Sequence, residues 1–385
     1  MPAPPPALRE LAERFDPQVF DLGRPSARVR LAVDGEPAWD ALIADGDVRL
    51  EPADDDTRPD AILAADEDTW RRMAADLRGG MDAFRAGRLQ VRHDLHLGVG
   101  FLAATAGAGQ DGGLRFRSVP TKIGPISTME AGRGAPVLLL HGLGATKASF
   151  LPTVAALASR FRTIALDLPG FGDSTKPLRA SYDARFFARS VVAVLDALEL
   201  ERADLIGNSM GGRVAIEVGL RHGDRARRLV LLAPSLAWLR DRPWATLLRA
   251  VPPVLGALQP APRGLVESIV RRTIPGADGG WTAAGVDEFL RSYLTPRGRA
   301  AFYAAARNIY LEEPHGPHGF WSRLPELRND SLFVWGRRDP VVPIAFERHV
   351  REALPHAQHL ELSCGHVPQL ERPRETHAAI ARFLT

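Results

Sequence analysis

After residue 113, short apolar runs alternate with segments of helical periodicity, and this alternation limits the fold of the 385-residue chain more than any other feature. It is typical of a parallel sheet covered by helices on both faces, which is the α/β class. Segment 183–198 predicts one such helix, because Phe187, Val191 and Leu195 fall on one stripe. The predicted strands are Val137–Leu140, Thr163–Leu166, Ala203–Ile206, Leu229–Leu232, Ser331–Trp335 and His359–Leu362.

The alternation is interrupted between about residues 235 and 321. This segment is rich in Trp, Tyr and Phe but has no clear strand pattern. It therefore predicts a helical insertion in the α/β fold.

Residues 1–103 have a different pattern, which predicts a small α+β domain. Asp66 predicts the N-cap of a helix that Gly79-Gly80 ends, and Pro2–Pro6 predict a frayed terminus. Four short segments predict an antiparallel sheet. They are Arg28–Val33, Trp39–Ile43, Asp47–Leu50 and Asp60–Ala64.

Residues 104–113 predict a linker, because they include four glycines and no large side chain. The charge is also divided. Residues 1–110 hold 13 basic and 20 acidic residues, net −7, whereas the rest of the chain holds 36 and 26, net +10. Both observations predict two units, at 1–103 and 114–385.

Composition excludes several classes of protein. A hydrophobic content of 45% excludes a disordered chain, and a lone cysteine, Cys364, excludes an intrachain disulfide. The arginines never form a run longer than a pair, so we expect no nucleic-acid partner. Met1–Glu10 lack the pattern of a secretion signal and no apolar stretch is long enough to span a bilayer, which predicts a cytoplasmic protein.

The sharpest motif is Gly207-Asn-Ser-Met-Gly-Gly212, directly after a predicted strand and before a helical pattern. A turn this tight strains Ser209 and projects its hydroxyl above the sheet edge, as in a nucleophile elbow. A serine nucleophile needs an imidazole base and a carboxylate that orients it. Asp339 and His366 both follow predicted strands downstream, so we expect all three side chains at the carboxyl edge of the sheet.

At this point residues 114–385 resemble the α/β-hydrolase superfamily, with Val137–Gly144 similar to its oxyanion-hole strand and loop and Asp167–Ser174 to the loop after the next strand. The resemblance implies Ser209 as nucleophile, His366 as base and Asp339 as orienting acid. It also implies that the backbone N–H groups of Leu143 and Met210 form the oxyanion hole, with no metal and no cofactor. Family members carry a lid over the serine, and we call residues of about 235–321 the lid.

Other polar residues near these motifs have simpler interpretations. The resemblance implies a structural role for His141, and we expect Asp167 and Asp173 to accept hydrogen bonds from backbone donors in a glycine-rich turn. His315 and His318 lie close to two glutamates, but a loop rich in Pro and Gly predicts no metal site.

Residues of about 20–103 resemble the sterol-carrier-protein family of small lipid-binding domains. The resemblance rests on Ala61–Trp70, Gly80–Val91 and Asp94, although the family usually has glycine where this chain has His93. It implies an apolar tunnel for acyl chains or sterols. The alternative is that the apolar side chains of this segment simply fill a core.

The sequence therefore predicts a serine hydrolase that cleaves an apolar ester or thioester through a Ser-His-Asp triad. One alternative is a carbon–carbon bond hydrolase of ring-cleavage products, which the motifs also resemble, although Val367 stands where that subgroup typically has tryptophan. Another is a lipid carrier with a vestigial hydrolase domain. The expected partner is a small apolar ester or lipid, and transient contact with a membrane surface stays open. The substrate itself and the oligomeric state are not predicted.

Overall fold

The computed structural model describes residues 3–54, 56–75, 83–84, 86–106, 113–237, 245, 250, 252, 255, 262–273 and 281–385. Two parts of the chain each form a sheet. We call residues 1–103 the N-terminal region and residues 114–385 the C-terminal region.

The N-terminal region contains a five-stranded sheet in the order β3-β2-β1-β4-β5. Its strands are β1 (Ser26–Val33), β2 (Trp39–Ala44), β3 (Asp47–Pro52), β4 (Ala61–Ala65) and β5 (Leu89–Arg92). The prediction of a wholly antiparallel sheet was wrong, because β1 pairs with β4 in parallel. Alternation of apolar residues indicates which face of a strand is buried, but it carries no information on the direction of its neighbour.

Among the described residues of this region, helices α1 (Pro6–Glu13), α2 (Glu67–Ala75) and α3 (Leu95–Ala104) accompany the sheet. As predicted, Asp66 caps α2, since its Oδ1 accepts a hydrogen bond from the Thr69 N–H at 2.7 Å. The predicted frayed terminus was wrong at Pro6, which begins α1. Proline suits the first helical position, and the fully buried Leu8 and Leu11 anchor the helix in the apolar core. Gly79 and Gly80 lie outside the described residues.

The C-terminal region contains an eight-stranded sheet in the order β13-β12-β11-β10-β8-β9-β7-β6. Its strands are β6 (Arg115–Thr121), β7 (Gly124–Ala131), β8 (Ala135–Leu140), β9 (Phe161–Leu166), β10 (Ala203–Asn208), β11 (Ala226–Leu232), β12 (Asp330–Gly336) and β13 (Gln358–Leu362). The six predicted strands are confirmed as β8 to β13, which are parallel. Sequence analysis missed β6 and β7, which form an antiparallel edge.

Helices cover this sheet and form the lid. They are α4 (Leu151–Leu157), α5 (Ala184–Ala197), α6 (Met210–Arg221), α7 (Arg263–Thr273), α8 (Trp281–Tyr293), α9 (Pro296–Tyr310), α10 (Phe320–Arg323), α11 (Phe346–Ala353), α12 (Pro368–Glu371) and α13 (Pro373–Leu384). The predicted helix at 183–198 is confirmed as α5, capped by Asp183. Helices α7, α8 and α9 belong to the lid, and its Trp238 and Trp244 lie outside the described residues.

The two regions pack directly on each other. One apolar cluster includes residues of both sheets, and an isolated bridge pairs Phe20 with Phe116. The rings of Phe20, His96 and Phe116 meet with centroids 5.0 to 5.7 Å apart. Most of the predicted linker, residues 107–112, lies outside the described residues. The regions therefore share buried apolar surface in addition to any connection through the linker.

Candidate active site

Ser209 lies in the turn between β10 and α6. Its backbone has φ 52° and ψ −114°, a strained conformation for a residue with a side chain. The flanking glycines make room for the turn, since a Cβ on Gly207 would lie 2.3 Å from the Gly211 carbonyl oxygen and one on Gly211 would lie 1.9 Å from that of Leu140. The spacing of the motif follows from these contacts.

A chain of hydrogen bonds joins the three side chains that the sequence singled out. The Ser209 hydroxyl donates to Nε2 of His366 at 2.8 Å, and Nδ1 of His366 donates to Oδ2 of Asp339 at 2.8 Å. The other Asp339 oxygen accepts from the N–H groups of Val341 and Val342, so the carboxylate is fixed. All three side chains are buried at the carboxyl edge of the sheet, each less than a tenth exposed.

The two predicted oxyanion donors flank the serine turn. Met210 is the first residue of α6, and the N–H of a first helical residue has no acceptor within the helix. Leu143 follows Gly142, whose backbone packs on the turn: a Cβ on Gly142 would lie 3.3 Å from Cβ of Ser209. The Gly142 backbone therefore lies against the serine turn, and the oxyanion hole of Leu143 and Met210 stays a prediction.

Two residues that sequence analysis missed hold the histidine loop. The Asn208 amide donates to the carbonyl oxygens of Leu232 and His366, at 3.0 and 3.1 Å. Glu371 accepts from the N–H groups on both sides of His366, those of Gly365 and Val367. Asn208 belongs to the recognised motif and could have been noticed, whereas Glu371 has no sequence signal.

The lid adds a tyrosine to the site. The hydroxyl of Tyr310, the last residue of α9, lies beside the Ser209 side chain, and burial raises the pKa of its phenol. The phenol therefore stays protonated and available as a donor. Sequence analysis missed this role, because only the folded lid brings α9 to the serine.

An aromatic cluster of the lid lies on the oxyanion loop, residues 141–144. Phe289, Tyr293 and Phe302 contact one another with centroids 5.0 to 5.7 Å apart. Gly144 has φ 76°, and a Cβ there would lie 2.8 Å from the Phe289 ring. The part of the lid that faces the oxyanion loop is thus aromatic and packs directly on it.

His141 has the structural role that the resemblance implied. Burial lowers the pKa of its imidazole, so the ring is neutral. Its Nε2 accepts from the Leu168 N–H at 2.9 Å, and its Nδ1 donates to the Gly142 carbonyl oxygen at 2.8 Å. The ring therefore fixes the loop that precedes Leu143.

Asp167 and Asp173 differ in part from their predicted roles. Asp167 accepts from the N–H groups of Lys147 and Asp173, as expected of a turn carboxylate. It also pairs with the buried Lys147 ammonium at 2.6 Å. The prediction for Asp173 was wrong: its carboxylate accepts from Lys147 and, at 2.7 Å, from Arg291 of α8. The cationic side chains of Lys147 and Arg291, rather than backbone donors, explain the position of the Asp173 carboxylate.

The other candidate groups have no catalytic arrangement. Burial, together with Glu371 and Asp339, raises the pKa of the Cys364 thiol to about 12, so it stays protonated. Glu312, beside the two lid histidines, pairs with Arg213 and Arg323. Among the residues that the structure describes, no group of three or more His, Cys, Asp or Glu side chains could hold a metal ion.

The chain matches two protein families. Residues 135–373 match the family described as the alpha/beta hydrolase fold, and residues 21–102 match the SCP-2 sterol transfer family. The first match spans more than half of the chain. The chain belongs to the α/β-hydrolase family, with an SCP2-like N-terminal region, and it is a hydrolase.

The relatives of the C-terminal region include two types of hydrolase. The chain is 28% identical over 270 residues to the 2-hydroxymuconate semialdehyde hydrolase of Pseudomonas sp. (strain CF600), covering 66% of this chain and 88% of that protein. It is 29% identical over 263 residues to the pimeloyl-[acyl-carrier protein] methyl ester esterase of Aeromonas hydrophila subsp. hydrophila, covering 67% of this chain and 99% of the esterase.

Solved structures show the same fold. A bacterial membrane phospholipase A superposes with a TM-score of 0.60 at 28% identity, covering 70% of this chain and 86% of that one. The enol-lactonase from Burkholderia xenovorans LB400 superposes with a TM-score of 0.59 at 22% identity, covering 70% and 99%. The second likeness supports the fold alone.

Proposed function

We propose that the protein hydrolyses apolar carboxylic esters or thioesters, with Ser209 as nucleophile, His366 as general base and Asp339 as the acid that orients the base. The observation that carries this proposal is the unbroken chain of two 2.8 Å hydrogen bonds from Ser209 through His366 to Asp339. Each member of the chain sits in the order and tautomer that acyl transfer to serine requires.

In the first half of the reaction, Oγ of Ser209 forms a bond to the substrate carbonyl carbon while its proton moves to Nε2 of His366. The carbonyl oxygen becomes an oxyanion, which the N–H groups of Leu143 and Met210 stabilise. The bond to the leaving alcohol or thiol then breaks, and His366 returns the proton to the leaving group. Asp339 stabilises the imidazolium between these transfers.

In the second half, water attacks the acyl-enzyme. His366 accepts a proton from the water, the oxyanion forms in the same hole, and the bond from Oγ to the acyl carbon breaks. The proton returns to Ser209 as the acid departs. Every proton in this scheme is carried by groups of this chain, and no cofactor is required.

The aromatic residues of the lid favour an apolar substrate. Its aromatic cluster of Phe289, Tyr293 and Phe302 lies against the oxyanion loop, so a substrate acyl or alcohol group would contact rings. One sequence relative is a pimeloyl-[acyl-carrier protein] methyl ester esterase, and one similar solved structure is a membrane phospholipase A. Both names describe enzymes that cleave esters. We therefore favour a carboxylic ester.

The second candidate is hydrolysis of a carbon–carbon bond. The 2-hydroxymuconate semialdehyde hydrolase, at 28% identity, favours it. The same serine, histidine and aspartate would act in either reaction. Val367 in place of a tryptophan after the histidine is our reason for ranking this candidate second.

We further propose that residues 1–103 form one domain, that 104–113 link it to the hydrolase domain 114–385, and that the protein works in the cytoplasm. The SCP2-like region would raise the local concentration of an apolar substrate.

No described helix is long and apolar enough to cross a membrane. Leu265 and Ile269 of α7 are each more than half exposed beside Arg271 and Arg272, which suits transient contact with an anionic lipid surface.

The test is a screen of p-nitrophenyl esters from acetate to palmitate, alongside a ring-cleavage dienoate such as 2-hydroxymuconate semialdehyde. We expect turnover of medium or long acyl esters and little turnover of the dienoate. Turnover of the dienoate alone would replace the ester proposal with the second candidate, and turnover of neither would contradict both. Ser209→Ala is the control for background hydrolysis.

A further inference from the structure

Lid helix α8 lies between the N-terminal region and the oxyanion loop. On one side, Trp281 packs edge-on against Phe84 of the N-terminal region, with centroids 4.9 Å apart. On another side, Phe289 contacts Gly144 of the oxyanion loop. This single helix therefore contacts both a region remote in sequence and the loop beside Ser209.

Asp287 is the main polar contact on the side facing the N-terminal region. Its side chain is 4% exposed and accepts hydrogen bonds from Nε of Arg92 at 2.7 Å, from the backbone N–H of His93 at 3.0 Å and from Arg263 of α7 at 2.5 Å. Burial would raise the pKa of this carboxyl, but these hydrogen bonds lower it. A charged, buried carboxylate thus joins α8 to the turn after β5.

The turn itself has a conformation that serves this contact. His93 has φ 69°, in the region that favours glycine. In that conformation its N–H reaches Asp287. The strain at His93 is therefore held in place by a bond to the lid.

Arg291, one helical turn beyond Asp287, extends the contact. It pairs with Glu288 of its own helix at 2.8 Å, with Asp173 at 2.7 Å and, more loosely, with Asp94 at 3.6 Å. Asp173 in turn contacts Lys147, which follows the oxyanion loop. The N-terminal region, the lid and the oxyanion side of the sheet thus meet around the half-buried Arg291 guanidinium.

We propose that Arg92 and the turn 92–94 are positioning residues for the hydrolase site: by binding Asp287 they hold α8 so that Phe289 stays seated on Gly144, beside the Leu143 oxyanion donor. The N-terminal region would then act on turnover of every ester, in addition to any role in holding lipid. This inference rests on the proposed function, and it assigns a task to a region that contains none of the catalytic groups.

The test uses the full chain and three variants: Arg92→Ala, Arg92→Lys and the control Arg117→Ala. Arg117 is matched to Arg92, since each is a partly exposed arginine that binds a buried carboxylate at 2.7 Å, but its partner Glu130 lies in β7 and not in the lid. We expect Arg92→Ala to lower kcat about tenfold on both p-nitrophenyl acetate and a long-chain ester, with KM for the acetate changed less than twofold. Arg92→Lys should recover part of the loss, and Arg117→Ala should leave kcat unchanged.

Hydrogen exchange of α8 peptides is the second measurement, and it does not depend on turnover. We expect faster exchange across α8 in Arg92→Ala than in Arg117→Ala. If exchange and kcat are the same in the two variants, Arg92 makes an ordinary stabilising contact and the inference is wrong. If exchange rises in Arg92→Ala but the wild-type protein cleaves no ester, the docking of the lid stands while the proposed function fails.

Discussion

The proposed active site and the contact between the N-terminal region and the lid both bury charged groups, but they are assembled differently. The site takes its three side chains from loops at one edge of one sheet. The contact takes its charges from three parts of the chain. These are Arg92 and Asp94 of the N-terminal region, Lys147, Asp167 and Asp173 beside the oxyanion loop, and Asp287, Glu288 and Arg291 of the lid.

The two regions also differ in electrostatics. In the contact, burial, Glu288 and Asp173 raise the pKa of Asp94 to about 6 despite Arg291, and burial lowers that of His96 to about 3. The site has a neutral serine and an imidazole fixed by one carboxylate. The comparison teaches that one sheet is enough to position the three side chains of the proposed site. The lid over them depends instead on contacts such as that of Arg92 with Asp287, which lie almost 200 positions apart.

Breaking the site should have the largest effect. Ser209→Ala removes the atom that forms the acyl-enzyme, so we expect kcat on the best ester to fall by about a millionfold. Circular dichroism and the urea midpoint should match the wild type. A variant that keeps a hundredth of wild-type turnover would contradict the assignment of the nucleophile.

Asp339→Asn should be the next most severe change. An amide in this position would hold His366 in the wrong tautomer, and we expect a loss of about ten-thousandfold in kcat. Asp183→Asn is a matched control, because asparagine also caps helices and Asp183 caps α5 away from the site. Near-normal kcat in Asp339→Asn would show that another group orients the histidine.

Breaking the buried charges should reduce stability rather than chemistry. Lys147→Met leaves the buried Asp167 carboxylate without its cation, although burial opposes the charge of Lys147, and it leaves Asp173 with Arg291 alone. We expect the free energy of unfolding to fall by about 3–5 kcal/mol in urea titrations. Lys122→Met, at an exposed position, should change it by less than about 0.5 kcal/mol. Equal effects of the two substitutions would contradict the importance of this cluster.

Acid should weaken a buried ion cluster in which Glu217 of α6 pairs with Arg213, Arg221 and Arg323, the last of which follows the lid. Burial would raise the pKa of Glu217, but Arg213, Arg323 and Arg221 lower it to about 2. The resulting stability, about 3 kcal/mol, is present above pH 4.5 and lost as the pH falls towards 2. We expect Glu217→Gln to be less stable than wild type at pH 7 and the difference to shrink at pH 3. A constant difference across this range would refute the assignment.

The smallest effect is expected at Tyr310. Tyr310→Phe removes a hydroxyl beside Ser209 that can donate one neutral hydrogen bond to it, and this loss should lower kcat by about two- to tenfold. Tyr182→Phe is the control, because that hydroxyl donates to the Pro177 carbonyl oxygen outside the site. If both variants have wild-type kcat, the lid supplies no donor to the serine.

The same contrast explains what could be predicted from the sequence. The strands that precede Ser209 and Asp339 are buried apolar runs, and the glycine two positions before Ser209 is required by a contact within the turn itself, with the Gly211 carbonyl oxygen. Such local constraints leave a visible pattern. Strands β6 and β7 were missed because Pro120 and Pro125 interrupt their patterns, yet the two strands pair along their full length.

Residues whose role depends on distant contacts left no such pattern. Asp173 precedes a serine in a glycine-rich loop and resembles a turn residue, but its partner Arg291 is 118 positions away. Tyr310 ends a helix whose placement depends on the whole lid. The parallel pairing of β1 with β4 likewise follows from packing of the folded chain, since both strands would bury the same faces in either direction.

The central claim is that Ser209 is the activated nucleophile of this hydrolase. Incubation with a fluorophosphonate, followed by intact mass and peptide mass spectrometry, tests it most directly, because the probe reacts with a serine that an adjacent base deprotonates. We predict a single adduct on the peptide containing Ser209, and no adduct in Ser209→Ala. An unlabelled wild-type protein, or a Ser209→Ala variant labelled at the same rate, would contradict the account.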